Sequence, residues 1–526
     1  MTHGMPGASG VIAPGTVVQA PVGGPLNIAR ACLEVRASDP AFADRPAFSF
    51  LYGDRTERWT YAQAWERVER IGRGLLARGL EPGDRVLVRT PHSPDYAFAF
   101  FGANAAGLAP IPASPQLTPA EAAFLCADAE PRAAVTTADL PLPAFEGIRI
   151  DAADLDSLDG DGELPQTEAE DPAFLIYTSG TQASPKGVLH AQRTLYGRAL
   201  MWGAWEGFEA GDVTLHAGTL NWSYTLGVGL MDVWAVGGHA MLYGGPPDPA
   251  IWSRLIAEHG VNVFTAVPTV YRQLLKYGAP EKFDLSSLRH CLCAGEPLLP
   301  ALSEEWAGVA GTKMFEALGM TEVSTYISSG PATPVRPGSP GQAQPGRRVV
   351  ILPEDEDAPH AEQPLPPGEV GLLAVHRTDP GLMLGYWRRP EEEASVYRGE
   401  WFTGGDLAAM DEDGYIWFHG RADDVIKSFG FRLSPVEIEA AIESCPGVSE
   451  VAVVGVPIDP TKTLVTACVV PQDDVRLEED ALRAHAEASL AGYKQPHEYR
   501  LVDELPRTRN GKVQRKVLLS QLSSGA

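Results

Sequence analysis

Cysteine is scarce in this chain: six among 526 residues, scattered at Cys32, Cys126, Cys291, Cys293, Cys445 and Cys468. That is too few and too dispersed for a disulfide framework, and Cys291 and Cys293 lack the spacing of a zinc or redox pair. Alternation along a strand would turn both to one face, so buried free thiols and a reducing compartment are expected. Long apolar runs are missing too. Nothing approaches the ~20 residues of a membrane span, and residues 1–30 show no basic segment followed by the sustained apolar run of a signal peptide. A cytoplasmic location is expected. Positive charge is short: 42 Lys and Arg stand against 68 Asp and Glu, a net charge of −26. A field of that sign repels nucleic acid and anionic lipid, so neither is expected as a partner. An anionic substrate must then be held locally, by N–H groups and a few placed cations.

What is present is ordinary globular material, 44% hydrophobic and 21% charged. The length exceeds what one core supports, so two or more domains are expected. From about residue 25 to 420, short apolar strands alternate with amphipathic helical segments. Arg85–Val88, Asn262–Val267 and Arg289–Cys293 are such strands, each followed by Gly or Pro signals. This pattern predicts α/β layers of mostly parallel sheet. Residues 353–368 are rich in Pro and acid and predict an exposed loop. The strands Val370–Val375 and Tyr415–His419 then suggest a small β region. The polar segment Gly420–Asp424 predicts a junction, giving a large N-terminal domain over 1–420 and a small α+β domain over 421–526. The latter should hold a helix from Pro435 to about Ser444, strands Val451–Val456 and Val465–Val470, and a helix Leu477–Leu490.

Six motifs carry chemistry. Tyr177-Thr178-Ser179-Gly180-Thr181-Gln182-Ala183-Ser184-Pro185-Lys186-Gly187 follows an apolar strand and reads as a strand-to-helix loop. Its hydroxyls, glycines and lysine are donors suited to a polyphosphate. Pro185 before the lysine and Gly187 after it break the spacing of a Walker loop, so a kinase is not expected. Further on stand Gly295-Glu296-Pro297, Leu318-Gly319-Met320-Thr321-Glu322, Thr403-Gly404-Gly405-Asp406, the stretch Gly420 to Arg432, and Pro506-Arg507-Thr508-Arg509-Asn510-Gly511-Lys512. Alone, each could be a turn, a linker or a basic tail.

In this order and separation they resemble the adenylate-forming superfamily, whose members include acyl- and aryl-CoA synthetases, peptide-synthetase adenylation domains and beetle luciferases. The resemblance spans Trp59 to Lys516. It implies that Thr178, Ser179, Gly180, Thr181 and Lys186 hold the β- and γ-phosphates of ATP. Gly295, Glu296 and Pro297 would lie beside the adenine, Thr321 on the α-phosphate, and Glu322 near Mg²⁺. Asp406 would accept from the ribose hydroxyls, Arg421 would meet ribose or phosphate, and Arg432 would approach the phosphates. Asp423 would be the hinge of a mobile C-terminal domain, Gly430 would line a channel for coenzyme A, and Lys512 would stabilise charge during adenylation. Gln182, Ala183, Gly404, Leu318 and Asn510 depart from the family's pattern.

By the same resemblance the acid pocket involves Trp222, Tyr224 and Tyr326, with no carboxylate among residues 221–227 or 323–327 to pair with an amino acid's ammonium. The run after Glu322 looks closest to benzoate-type and short- to medium-chain acyl-CoA ligases. The implied function is an ATP-dependent ligation of an aromatic or short- to medium-chain acid to coenzyme A through an acyl-adenylate. A ligase loading a carrier protein and a non-catalytic nucleotide-binding relative are the alternatives, and a homodimer is left open.

Overall fold

The computed structural model describes residues 23–143, 145–178, 185–356, 360–428, 431–459, 462–472, 475–507 and 513–524. Two compact units emerge. One comprises residues up to Arg348 together with Val375–Phe402, and the other comprises Val349–Ala374 together with Thr403–Ala526.

In the first unit, a run of sheet passes through Thr56–Thr60, Pro46–Leu51, His239–Tyr243, Val213–His216, Val263–Ala266, His290–Ala294, Met314–Met320, Ser324–Ser328 and Gly341–Ala343, in that spatial order. The six strands from Pro46–Leu51 to Met314–Met320 are mutually parallel. Their side chains are apolar toward both faces, as a sheet covered by helices on each side requires. One face joins the larger core with Phe48, Leu292 and Phe315, and the other packs Leu215, Phe264 and Tyr271. Cys291 and Cys293 both lie in that second cluster, buried as free thiols, as their alternation predicted. A second, four-stranded sheet is wholly parallel, ordered Ala109–Pro112, Arg85–Arg89, Ala133–Thr136, Ile148–Asp151. Helices begin where their caps dictate: Thr60 and Gln63 form a reciprocal capping box at the start of Tyr61–Ala77.

A third, small sheet corrects one expectation. Lys186–Ala191 returns antiparallel to Pro172–Thr178, with Thr178 opposite Lys186. The strand Pro172–Thr178 is therefore followed, at Lys186, by a second strand and not by the helix expected there. Alternating Val188, His190 and Phe174 bury one strand against the next, and that pattern suits a strand better than a helix start. Gly385–Tyr386 adds a third strand beside Val188 and Leu189.

The second unit has its own core of Ile438, Ile442, Val453, Val465, Val469 and Leu482. It contains Val448–Asp459 antiparallel to Lys462–Pro471, Glu498–Leu501 parallel to the latter, and helices Pro435–Glu443, Glu479–Ser489 and Arg515–Ser524. These match the α+β elements expected there. Among the described residues, no helix is long and apolar enough to cross a membrane.

Candidate active site

Parallel strands end at one common edge, and loops leaving that edge form the crevice where ligands bind in open α/β sheets. The strands ending at His216, Ala266, Ala294 and Met320 bring together four such loops. They carry Trp222 and Tyr224, the helix Pro268–Tyr277, Gly295-Glu296-Pro297, and Thr321-Glu322. Gly295 takes φ +91°, a left-handed conformation open to glycine, which lets the chain turn sharply off its strand. Thr269 Oγ1 then donates to Glu296 Oε2 at 2.8 Å. Beneath this turn lies a residue that the motifs do not reveal. Glu316 Oε1 accepts the Leu298 N–H at 2.9 Å, and burial pushes its carboxyl up to about 7.

Thr321 and Glu322 occupy the turn between Met314–Met320 and its antiparallel neighbour Ser324–Ser328. Gly319 is required there. A Cβ would stand 2.3 Å from the Ser324 carbonyl oxygen and 2.5 Å from the Thr325 Cα. The crossing strand also holds Ser324 at φ +77°, a strained setting for a side-chain-bearing residue. Arg198 Nη1 donates to the Ser324 hydroxyl at 2.9 Å.

The small antiparallel sheet reaches this turn through two contacts. His190 Nε2 donates to the Thr321 carbonyl at 2.9 Å, and burial drives its imidazole down to about 3, so it is a neutral donor. The neighbouring strand delivers Tyr386, whose hydroxyl donates to Glu322 Oε1 at 2.8 Å while its ring lies 5.3 Å beneath the Lys186 ammonium. Met383 N–H holds the Glu322 carbonyl at 2.8 Å. Lys186 also pairs with Glu392. One aromatic ring therefore links Lys186 to the Glu322 carboxylate. Tyr386, His190 and Glu392 lie outside every motif read from the sequence, and no local pattern marks them because their meaning comes from strand pairing.

These residues fit the proposed metal. Glu322 keeps Oε2 free of any described hydrogen bond, and no group of three or more His, Cys, Asp or Glu able to hold a metal exists among the described residues. Mg²⁺ is commonly bound by one or two carboxylates plus substrate phosphates and not by an all-protein cage. Replacing Tyr386 by phenylalanine should free Glu322 to rotate and weaken apparent Mg²⁺ affinity about tenfold. A Mg²⁺ titration of ATP–pyrophosphate exchange checks this, and an unchanged midpoint would make the hydroxyl incidental.

In the second unit, Asp406 and Arg421 face each other across paired strands, 3.1 Å apart. Gly405 beside them has φ +81°. Asp423 is the middle residue of the short turn Ala422–Asp424, and Arg432 is paired with Lys427 in a two-stranded ribbon. Trp222 precedes the helix Ser223–Leu226, and Tyr326 is buried on its strand. Ser179, Gly180, Thr181, Gln182, Ala183, Gly430 and Lys512 lie outside the described residues.

Known proteins agree with this geometry. The family model "AMP-binding enzyme" matches residues 35–387, and "AMP-binding enzyme C-terminal domain" matches 437–512. An uncharacterized acyl-CoA ligase of Bacillus subtilis is 31% identical over 482 residues, 88% of this chain and 90% of its own. A benzoate–CoA ligase of Thauera aromatica is 31% identical over 498 residues, covering 89% and 92%. The solved structure of an anthranilate CoA ligase in complex with anthranoyl-AMP superposes with TM-score 0.86 at 27% identity, over 97% of this chain and 100% of that one. With a family model covering well over half its length, the chain belongs to the AMP-binding enzymes, in their acyl-CoA ligase branch.

Proposed function

We propose that this ligase joins a compact carboxylic acid to coenzyme A, using ATP and Mg²⁺ and releasing AMP and pyrophosphate. The Lys186–Tyr386–Glu322 link, set beside Thr321 on the strand edge, is the observation that supports the reading: a cation and an oriented carboxylate joined through one ring are the groups a magnesium triphosphate would need. Thr178, Ser179, Gly180, Thr181 and Lys186 grip the β- and γ-phosphates, and Gly295, Glu296 and Pro297 border the adenine. Asp406, Arg421 and Arg432 serve ribose and phosphate. Bound at Glu322, Mg²⁺ would neutralise charge on the triphosphate.

The acid's carboxylate oxygen attacks the α-phosphorus, the bond to pyrophosphate breaks, and an acyl-adenylate remains. A thiol then attacks the acyl carbon and AMP leaves. Residues 421–526 turn about Asp423 between these steps, a change that a hinge of one or two residues can absorb. The acid is aromatic and benzoate-like or a short- to medium-chain one. The aromatic choice is favoured by Tyr224, whose ring stacks against Trp205 at 6.2 Å, and by the benzoate and anthranilate relatives. Six buried free thiols among six cysteines suit a cytoplasmic setting.

ATP–pyrophosphate exchange with a panel from acetate to octanoate, benzoate and its derivatives tests the reading; no exchange with any acid would end it. Free coenzyme A as sole acceptor separates this function from carrier-protein loading. In the same assay, Gly430→Leu should spare exchange and block thioester formation, since a side chain there would fill the thiol channel. Loss of exchange would instead make Gly430 structural.

A further inference from the structure

The strand edge near Tyr224 contains polar groups that the nucleotide does not use. His216 ends its strand, and Thr265 is its registered partner on the next, so both side chains share one face. Thr214 lies two residues before His216 on that same face. The same face carries the apolar Val263, Leu292 and Phe315, with Tyr224 packed against that cluster, and the buried His290, whose Nε2 is already paired with the Glu206 carbonyl at 2.6 Å. Tyr224 is only partly buried as a residue, yet its hydroxyl has no accessible surface. Its ring meets His216 edge-on at 4.7 Å. Tyr224 Oη, His216 Nε2, Thr265 Oγ1 and Thr214 Oγ1 are all buried without a hydrogen-bond partner among the described residues. His216, Thr265 and Thr214 are each no more than 1% exposed. Buried polar atoms are nearly always paired. Several orphans in one patch, at the edge where the acid is proposed to bind, therefore point to a ligand that pairs them.

The character of these groups narrows that ligand. His216 Nδ1 accepts the Gly218 N–H at 2.9 Å, so the proton of the neutral ring sits on Nε2, which is an obligate donor. The tyrosine and threonine hydroxyls can donate or accept. The carboxyl near Tyr224 is Glu206, which faces Asp232 and is held well above the usual carboxylate range by burial first and by that charge second. It supplies no anion for an ammonium, and the patch offers no cation for a second carboxylate. A neutral group that both gives and takes a hydrogen bond completes it.

Resting on the proposed acid site, we infer that the preferred acid carries a hydroxyl at its far end, received by Tyr224, His216 and Thr265. AMP release should be measured for 3- and 4-hydroxybenzoate against benzoate, and for 3-hydroxybutyrate against butyrate. In at least one pair the hydroxylated acid should have the higher kcat/KM, by about tenfold. Thr265→Val and Tyr224→Phe should each shrink that ratio toward one. The ratio is taken within each variant, so a general loss of folded enzyme cancels. Parent acids turned over as well as or better than their hydroxylated forms would overturn the inference while leaving adenylation intact, as would a preference that survives both substitutions. Absence of AMP with every acid would instead remove the ligase reading itself, and this inference with it.

Discussion

Replacing Lys512 by alanine is expected to slow acyl-adenylate formation about 10²–10³-fold, while thioester formation from supplied acyl-adenylate stays within a few-fold of the parent. The first step brings a carboxylate against a triphosphate, so two anions must approach as charge accumulates around the α-phosphorus. In a chain of net charge −26 the long-range field opposes that approach, and a local ammonium has to overcome it. The second step expels AMP from an activated ester and makes no such demand on the same cation. Pyrophosphate exchange reads the first step, and thioester formation from synthetic acyl-adenylate reads the second. An equal loss in both would contradict a C-terminal unit that presents different residues in each half-reaction.

The largest effect on stability is expected at Arg347. Its side chain is fully buried, and Nη1 donates to both oxygens of Asp379 at 2.7 and 2.9 Å. Nη2 holds the carbonyls of Gly197 at 2.7 Å and Thr325 at 3.1 Å, and Nε donates to Gln344 at 3.0 Å. Arg347→Met would strand a buried carboxylate and two carbonyls at once, costing about 3–5 kcal/mol. Thr325 lies on the strand that leaves the Thr321–Glu322 turn, so adenylation should weaken as the unit loosens. The double replacement Arg347→Met with Asp379→Leu should recover a substantial part of the loss, because the unpaired charge is gone. Urea unfolding of the parent and these two variants measures this. A single-variant loss below about 1 kcal/mol would show that water reaches the pair and screens it.

Legibility followed the range of each interaction. Strands 263–266 and 290–294 were readable as short, mostly apolar runs, as strands covered on both faces are, and helix 435–443 by a buried face that repeats every 3.6 residues. The hydroxyl-rich segment was readable as a set of donors, but the strand that follows it was not. Nothing within residues 178–187 says that Lys186 begins a strand; the pairing of Leu189 with Leu175 and Gly385 does. Glu316 read as one acidic residue among many until its hydrogen bond from the Leu298 N–H set it apart.

Motif order, through its resemblance to a known family, was enough for an acyl-CoA ligase among the AMP-binding enzymes, because those motifs answer to the fixed chemistry of a nucleotide. The partners of that chemistry come from far along the chain: Tyr386 reaches Glu322 across 64 positions, and His190 reaches Thr321 across 131. So does the pairing of His216 with Thr265 beneath Tyr224. Such meetings depend on which strands lie side by side and which faces are closed to water. Sheet pairing and exclusion of solvent are properties of the folded chain as a whole, and no local run of residues encodes them.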